Sequence, residues 1–353
     1  MEKKSLKSYW KSIISGGQGR QASLDALRIL GILMVLYNHS GLYTAFLLRE
    51  NCDLMYWLQI LFSIVSKCGA PLFFMVSGAL LLRKDEKYSY TLIHRVLRMV
   101  IVMIICAMIA SSYRFTFSTI MEHLLSKLNW YLYAYLAFLI MLPLIRLFVK
   151  GMNARLGLLF CSLAFFLQTL VMFIVFSETE VALFSYTWLL VAGWGSVNWL
   201  MIFPVLGYLI NEKIVFEDRR SLMILAGAAA FSLISCTLLM HFDIRIHEAR
   251  NLEQLRQHAV FAIAALIMVC ARVVEKAPVW TKRMLEQISG TVFGIFILDV
   301  TSKLPNMISD QISSTFWFAG LTGQELLTIL MQFLIMGTIV YILRLIPPIR
   351  KLI

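Results

Sequence analysis

The chain has 353 residues, of which 60% are hydrophobic and only 15% charged, and its mean hydropathy is +0.78. A soluble globular domain has about a quarter of its residues charged, so this composition excludes that class and indicates a helical protein that crosses a membrane many times. The net charge of +12 is strongly basic, but no segment resembles a nucleic-acid-binding module. We therefore predict a lipid bilayer, and no nucleic acid, as a partner.

Basic residues cluster at alternate ends of ten apolar runs. With the N-terminus inside, 24 of the 32 lysines and arginines fall on the cytoplasmic side and seven on the other. This asymmetry predicts an all-α polytopic bundle with both termini cytoplasmic. It comprises a segment at 1–23, a membrane domain at 24–346 and a tail at 347–353. The apolar runs lie at roughly 24–47, 54–82, 95–112, 130–149, 156–176, 187–210, 221–240, 258–271, 289–305 and 326–346.

The first predicted span carries an arginine and a histidine on one face. Arg28 and His39 are eleven residues apart, about three turns, so their side chains leave the same side roughly 16 Å apart along the axis. Ionisable groups are expensive inside hydrocarbon and usually mark a polar pathway or site. Asp25 lies one turn before Arg28 and can orient its guanidinium. The alternative is an arginine that snorkels to the interface and a histidine that makes only a helix–helix hydrogen bond.

The second predicted span combines a lysine, a proline and a small-residue pair. Lys67 lies about halfway along, where a lone ammonium is costly. Pro71 removes a backbone donor and is expected to kink the helix, and Ser77-Gly78 lets another helix approach closely. Structural pairing of Lys67 with a carboxylate and packing alone at Pro71 and Gly78 are the alternatives.

The third and fourth spans add two arginines and two aromatic residues. Arg95 and Arg98 are one turn apart at the start of the third span, and arginine forks suit phosphate. Ordinary cytoplasmic anchoring also explains them. Trp130 and Tyr131 at the outer start of the fourth span match an interfacial belt, but their rings could also line a mouth that faces a sugar.

The later spans hold one buried acid and a histidine-bearing segment. Asp299 is near mid-depth in the ninth span, where a carboxylate must be neutral or paired. Lys67 has a similar depth, so we predict that these two pair. The segment 241–258 is expected to be a solvated outer loop that can touch substrate. Its histidines lack metal-site spacing and the cysteines include no C-x-x-C pair, so we predict no metal site and no disulfide.

Together these motifs resemble the acyltransferase-3 family of bacterial integral-membrane acyltransferases over essentially the whole chain. The most specific element is the spacing from Arg28 to His39. The other matching elements are Asp25-x-x-Arg28, Pro71-Leu-Phe-Phe-x-x-Ser77-Gly78, Arg95-x-x-Arg98, Trp130-Tyr131 with Pro143, and Phe293-Gly-Ile-Phe-Ile-Leu.

The resemblance implies a multi-pass O-acyltransferase of the bacterial inner membrane. It would move an acetyl or other short acyl group from acyl-CoA, a donor substrate rather than a tightly bound cofactor, to a hydroxyl of a cell-surface glycan or lipid-linked sugar. By resemblance, Arg28, Arg95 and Arg98 would hold the donor and Asp25 would orient Arg28. His39 would be the general base or the acyl relay. Secondary candidates for the substrate site are Lys67, Ser77, Trp130, Tyr131 and Asp299.

The ninth span departs from the family pattern, which often ends in Tyr-Leu-x-His. Here it reads Phe296-Ile-Leu-Asp299, so the aromatic hydroxyl and the histidine are both absent. A divergent relative without acyl transfer would also fit this departure. The rival from another class is a transporter for a small polar molecule such as an amino acid. A transporter favours broken helices repeated in both halves, and Pro71 and Pro204 have no matching segments.

Overall fold

A computed structural model describes residues 21–40, 44, 47, 51–111, 115–124, 130–177, 202–214, 218–316 and 320–352. In these ranges the chain is helical without a strand, which confirms the predicted all-α class. The helices are α1 (Ala22–His39), α2 (Leu54–Ser66), α3 (Gly69–Leu81), α4 (Tyr88–Ala110), α5 (Phe117–Leu124), α6 (Trp130–Lys150), α7 (Ala154–Ser177), α8 (Phe203–Glu212), α9 (Arg219–Ile246), α10 (Leu252–Ala271, followed by a 3₁₀ turn at Arg272–Lys276), α11 (Val279–Ser289), α12 (Val292–Thr301), α13 (Leu304–Thr315), α14 (Gly320–Leu343) and α15 (Pro347–Leu352).

Eight helical segments of the described ranges are long and apolar enough to cross a membrane. They coincide with the second to fifth and the seventh to tenth predicted spans. The first predicted span, 24–47, begins with α1, which has 18 residues, and most of its end at 40–47 lies outside the described residues. Most of the sixth, at 187–210, lies outside the described residues, and α8 contains its described end. The multi-pass bundle is therefore confirmed, whereas the count of ten, the cytoplasmic termini and the segment before residue 21 stay predictions.

The helix that carries Arg28 and His39 lies inside the bundle. The apolar windows of α2–α3 and α10 are 61% and 56% buried, whereas those of the other six candidate spans are only 28–39% buried. The less buried helices expose many leucine, isoleucine and phenylalanine side chains, which is the surface that lipid covers. α1 packs against α3, α11, α12 and α14, and its Leu27, Ile32 and Leu36 are almost fully buried.

The N-terminus of α1 is held by a distant carboxylate. Gln21 occupies the N-cap position but makes no side-chain cap. Instead, Oε1 of Glu275 accepts hydrogen bonds from the backbone N–H of Ser23 at 2.8 Å and from its hydroxyl at 2.7 Å. The first N–H groups of a helix need acceptors, and a negative charge there also complements the helix dipole. Glu275 thereby joins α1 to the turn after α10.

The second predicted span consists of two helices. Lys67 lies in the turn between α2 and α3. Pro71 has no N–H to donate to the carbonyl of Lys67, so the backbone hydrogen-bond ladder is interrupted there. The Nδ2 of Asn38 on α1 donates to the carbonyl of Ser66 at 2.8 Å, which satisfies one of the groups that the break leaves open.

Helices α3 and α8 meet backbone to backbone. A Cβ placed on Gly78 would lie 1.9 Å from the carbonyl oxygen of Pro204, and one placed on Gly207 would lie 2.0 Å from the carbonyl oxygen of Met75. Neither position has room for a side chain. The close helix approach predicted at Ser77-Gly78 is therefore confirmed.

The predicted outer loop at 241–258 is wrong. α9 and α10 extend into this segment from both sides and leave only 247–251 as the connection. Arg256 and His258 lie on α10 and are 2% and 4% exposed. Leu255 and the apolar residues one turn away face the core, so the polar side chains between them are carried inside the bundle.

Candidate active site

A cavity of about 550 Å³ lies beside α1 and is bounded by side chains from α1, α3, α4, α6 and α12. Seven of the ten site residues predicted from the sequence line it. Two of the other three, Asp25 and Asp299, contact residues that do, and Lys67 lies elsewhere. The seven are Arg28, His39, Ser77, Arg95, Arg98, Trp130 and Tyr131.

His39 is paired with the aspartate that departs from the family pattern. The Nδ1 of His39 lies 2.5 Å from Oδ2 of Asp299, although the two residues are 260 positions apart. The Asp299 side chain is 2% exposed and the His39 side chain 40% exposed, so the carboxylate lies behind the imidazole. When Asp299 is ionised and the imidazole is neutral, the carboxylate can only accept a hydrogen bond, so Nδ1 is the donor. The Nε2 of His39 then has a lone pair with which it can accept a proton.

Arg28 is oriented by the acid one turn before it. Its Nη1 donates to Oδ1 of Asp25 at 3.1 Å, and the same oxygen accepts a hydrogen bond from the Ser289 hydroxyl at 2.7 Å. Asp25 is 2% exposed, whereas the Arg28 side chain is 29% exposed. The predicted Asp25–Arg28 contact is therefore confirmed, with the acid buried and the cation facing the cavity.

An irregular turn places a basic group at the start of α4. Residues Leu92–Val96 form a π-helical turn, a feature that is often found at functional sites. His94, Arg95 and Arg98 all line the cavity next to this turn. The His94 ring stacks on Tyr90, with centroids 4.2 Å apart and planes 14° apart. The turn thereby gathers a histidine and two arginines on the side that faces the cavity.

The Arg95 guanidinium is also bound by an acid. Its Nε and Nη2 donate to the two carboxylate oxygens of Glu86 at 3.2 and 2.7 Å. Arg146 donates to the same carboxylate at 3.3 Å. Burial opposes ionisation of Glu86, but the hydrogen bonds and positive charges of Arg95 and Arg146 outweigh it and hold the pKa of Glu86 below its ordinary value of 4.5.

Arg344 is the fourth arginine in the cavity lining, and it was not among the predicted site residues. It follows the end of α14 and lies against Gly290, where the chain breaks between α11 and α12. A Cβ on Gly290 would lie 2.1 Å from Nη1 of Arg344, so a larger residue here would displace the guanidinium from this position. In the sequence Arg344 reads as a cytoplasmic anchor. The available signal was the small pair Ser289-Gly290, which admits a close neighbour.

Aromatic rings form the wall beside His39. Tyr131 packs edge-on against Phe296 with ring centroids 5.1 Å apart, and against Phe74 at 5.5 Å. Trp130 is T-shaped to Tyr131 and 43% exposed. Phe296 lies where the family pattern often has tyrosine, and the tyrosine packed against it is Tyr131.

Lys67 does not pair with Asp299, and that prediction is wrong. Its Nζ donates to Glu253, whose second carboxylate oxygen accepts from Arg256. Depth along the spans made Lys67 a reasonable partner for Asp299. Asp299 instead pairs with His39, and the start of α10 places Glu253 next to Lys67.

No group of three or more histidine, cysteine, aspartate or glutamate residues within the described ranges is placed to hold a metal ion. The six cysteines are free thiols.

A family model described as an acyltransferase domain matches residues 21–346. This range contains α1 to α14 and the whole cavity lining. No curated protein and no solved structure matches the chain. The match covers far more than half of the chain, and the chain therefore belongs to the acyltransferase-3 family of membrane acyltransferases.

Proposed function

We propose that the protein transfers an acetyl or other short acyl group from acyl-CoA to a hydroxyl of an extracytoplasmic cell-envelope carbohydrate, within the inner membrane of a bacterium. One observation carries the proposal. The His39–Asp299 pair opens on a cavity that also holds the arginines Arg28, Arg95 and Arg98.

The arginines suit the charged end of the donor. Coenzyme A carries a pyrophosphate and a further phosphate, and guanidinium forks bind such groups through two parallel hydrogen bonds. Arg28 and His39 are separated by about three turns of α1, roughly 16 Å. An extended pantetheine arm covers a distance of that order. A donor whose phosphates lie at Arg28 therefore brings its thioester to the imidazole.

The His39–Asp299 pair suits acyl transfer. Nε2 of His39 accepts the proton of the acceptor hydroxyl as that oxygen bonds to the thioester carbonyl carbon. The C–S bond then breaks, and the coenzyme leaves as a thiol with the proton from His39, so the products are an ester and a neutral imidazole. In the relay version, Nε2 attacks the thioester carbonyl carbon, the C–S bond breaks and the coenzyme leaves as a thiolate. The acceptor hydroxyl then attacks the acyl-imidazole, the C–N bond breaks, and the hydroxyl proton goes to the thiolate. Asp299 stabilises the positive charge on the imidazole in both versions.

The aromatic wall suits a sugar acceptor. The faces of aromatic rings pack against carbohydrate rings, and Trp130, which is 43% exposed, is one of the residues that line the cavity. Trp130 starts α6 at the end predicted to be extracytoplasmic, opposite to the arginine end.

The test is mass spectrometry of surface glycans from cells that express wild-type protein, His39→Ala, the control His123→Ala on α5, or no protein. Ester-linked acetyl groups are expected with wild type and the control only. Identical glycans in all strains, with every protein folded and expressed, would refute acyl transfer and favour transport.

Binding of labelled acetyl-CoA to the purified protein tests the donor site separately. We expect Arg95→Ala and Arg98→Ala to weaken binding and the exposed control Arg155→Ala to leave it unchanged. Unchanged affinity in both cavity variants would refute the donor assignment.

A further inference from the structure

Glu86 binds Arg95 from outside the cavity. Arg95 lines the cavity, whereas Glu86, in the connection between α3 and α4, does not. The carboxylate accepts hydrogen bonds from Nε and Nη2, which lie on one side of the guanidinium. A guanidinium has five N–H donors in a rigid plane, so this pairing leaves the Nη1 edge available to a ligand in the cavity.

Glu86 is itself immobilised by a buried arginine. Arg146 is 7% exposed and donates from Nε and Nη2 to the carbonyl of Leu81 at 3.1 and 3.0 Å. It also donates to the backbone carbonyl and to the carboxylate of Glu86, both at 3.3 Å. A carboxylate held at both its backbone and its side chain cannot swing away without removing the counter-charge of a buried arginine, which is strongly unfavourable.

We propose that Glu86, fixed by Arg146, is a positioning residue that holds Arg95 ready for a phosphate of the donor. This inference rests on the proposed function, because it concerns the arginines of the donor site. The arrangement parallels that of Arg28, whose guanidinium is held by the buried Asp25. Arg28 and Arg95, two of the four arginines that line the cavity, are thus each oriented by an acid that does not line it.

The proposal predicts an effect opposite in sign to that of simple charge repulsion. A carboxylate near an anion site repels the anion, so its removal should strengthen binding if Glu86 only competes for Arg95. If Glu86 positions Arg95, its removal frees a side chain with large rotamer entropy, and that freedom must be lost again on binding. We expect Glu86→Ala to weaken donor binding about tenfold.

The experiment measures binding of acetyl-CoA and of inorganic pyrophosphate to the full-length protein in lipid nanodiscs. The variants are Glu86→Ala and Glu86→Gln, the latter keeping the shape and an acceptor oxygen. The matched control is Asp85→Asn, because the neighbouring Asp85 side chain is 94% exposed and pairs only loosely, at 3.4 Å, with Lys150. Each Glu86 variant is also combined with Arg95→Ala.

Weaker binding in Glu86→Ala, a smaller loss in Glu86→Gln and no change in the control would support the proposal. The Glu86 variants should have no further effect on the binding of either probe once Arg95 is alanine. A role in folding alone would not give this pattern.

Unchanged or tighter binding of both probes in Glu86→Ala would overturn the positioning role. If the wild type does not bind acetyl-CoA, unchanged or tighter binding of pyrophosphate overturns it. If the wild type binds pyrophosphate but not acetyl-CoA, and Glu86→Ala still weakens pyrophosphate, the donor assignment falls and the positioning role stands. If neither probe binds the wild type, both fall.

Discussion

Replacing Asp299 by asparagine should abolish most of the chemistry while leaving donor binding intact. The Asp299 carboxylate lies 2.5 Å from Nδ1 of His39 and is almost fully buried. An asparagine oxygen in its place carries no charge to stabilise the imidazolium. An asparagine amide that donates to Nδ1 instead would move the proton to Nε2 and remove the base. A positioned general base contributes about 10²–10⁴-fold to a rate, so we expect a loss of that order, about 3–5 kcal/mol of transition-state stabilisation.

The assay follows transfer of radiolabelled acetyl from acetyl-CoA to envelope glycan in inverted membrane vesicles. The control Asp310→Asn changes an exposed carboxylate on α13 and should keep the wild-type rate. The apparent affinity for acetyl-CoA should be the same in both variants, because the arginines of the cavity are untouched. An Asp299→Asn rate within threefold of wild type would refute the role given to the His39–Asp299 pair.

Three further changes test the packing and the charge network. Gly78→Ala should lower the free energy of unfolding by about 1–3 kcal/mol, because its Cβ would lie 1.9 Å from a backbone oxygen of α8. The control Gly227→Ala on α9 has nothing within 4 Å of its Cβ and should not lower stability. Equal melting temperatures of the two variants would contradict this prediction. Glu253→Gln should lower the free energy of unfolding more than Lys67→Met does, because Glu253 neutralises both Lys67 and Arg256. The reverse order would contradict this. Because the pKa of Glu86 is depressed, its stabilising effect is present above pH 4.5 and is lost as the pH falls through its folded-state pKa. As the pH is lowered, the free energy of unfolding should therefore fall less in Glu86→Gln than in wild type. Parallel plots of unfolding free energy against pH would show that the ion pairs of Glu86 do not stabilise the fold.

Local geometry made part of the site predictable from the sequence. The Asp25–Arg28 contact is one helical turn and follows from helix geometry alone. The contact at Gly78 follows from the small size of the residue, although its partner on α8 does not. The face shared by Arg28 and His39 needs only the helical period, and both residues line the cavity.

Partners far apart in the chain could not be predicted. Depth in the membrane made Lys67 and Asp299 candidates for each other, but depth says nothing about which helices are neighbours. Glu253, the partner of Lys67, falls in the predicted solvated loop, because the predicted span begins at residue 258 whereas α10 begins at Leu252. Arg344 was counted only for topology, since no local pattern shows that the end of α14 reaches the break between α11 and α12.

One continuous helix carries both Arg28 and His39, and under the proposed function α1 sets the distance between them. Glu275 binds the N-terminus of α1 and the middle of α1 is buried, and the continuous helix keeps Arg28 and His39 about three turns apart. A compact donor such as acetyl phosphate, whose acyl group is attached directly to its phosphate, can reach only one end. The length of the arm that joins the acyl group to the phosphates, more than the acyl group itself, would then decide which donors are used.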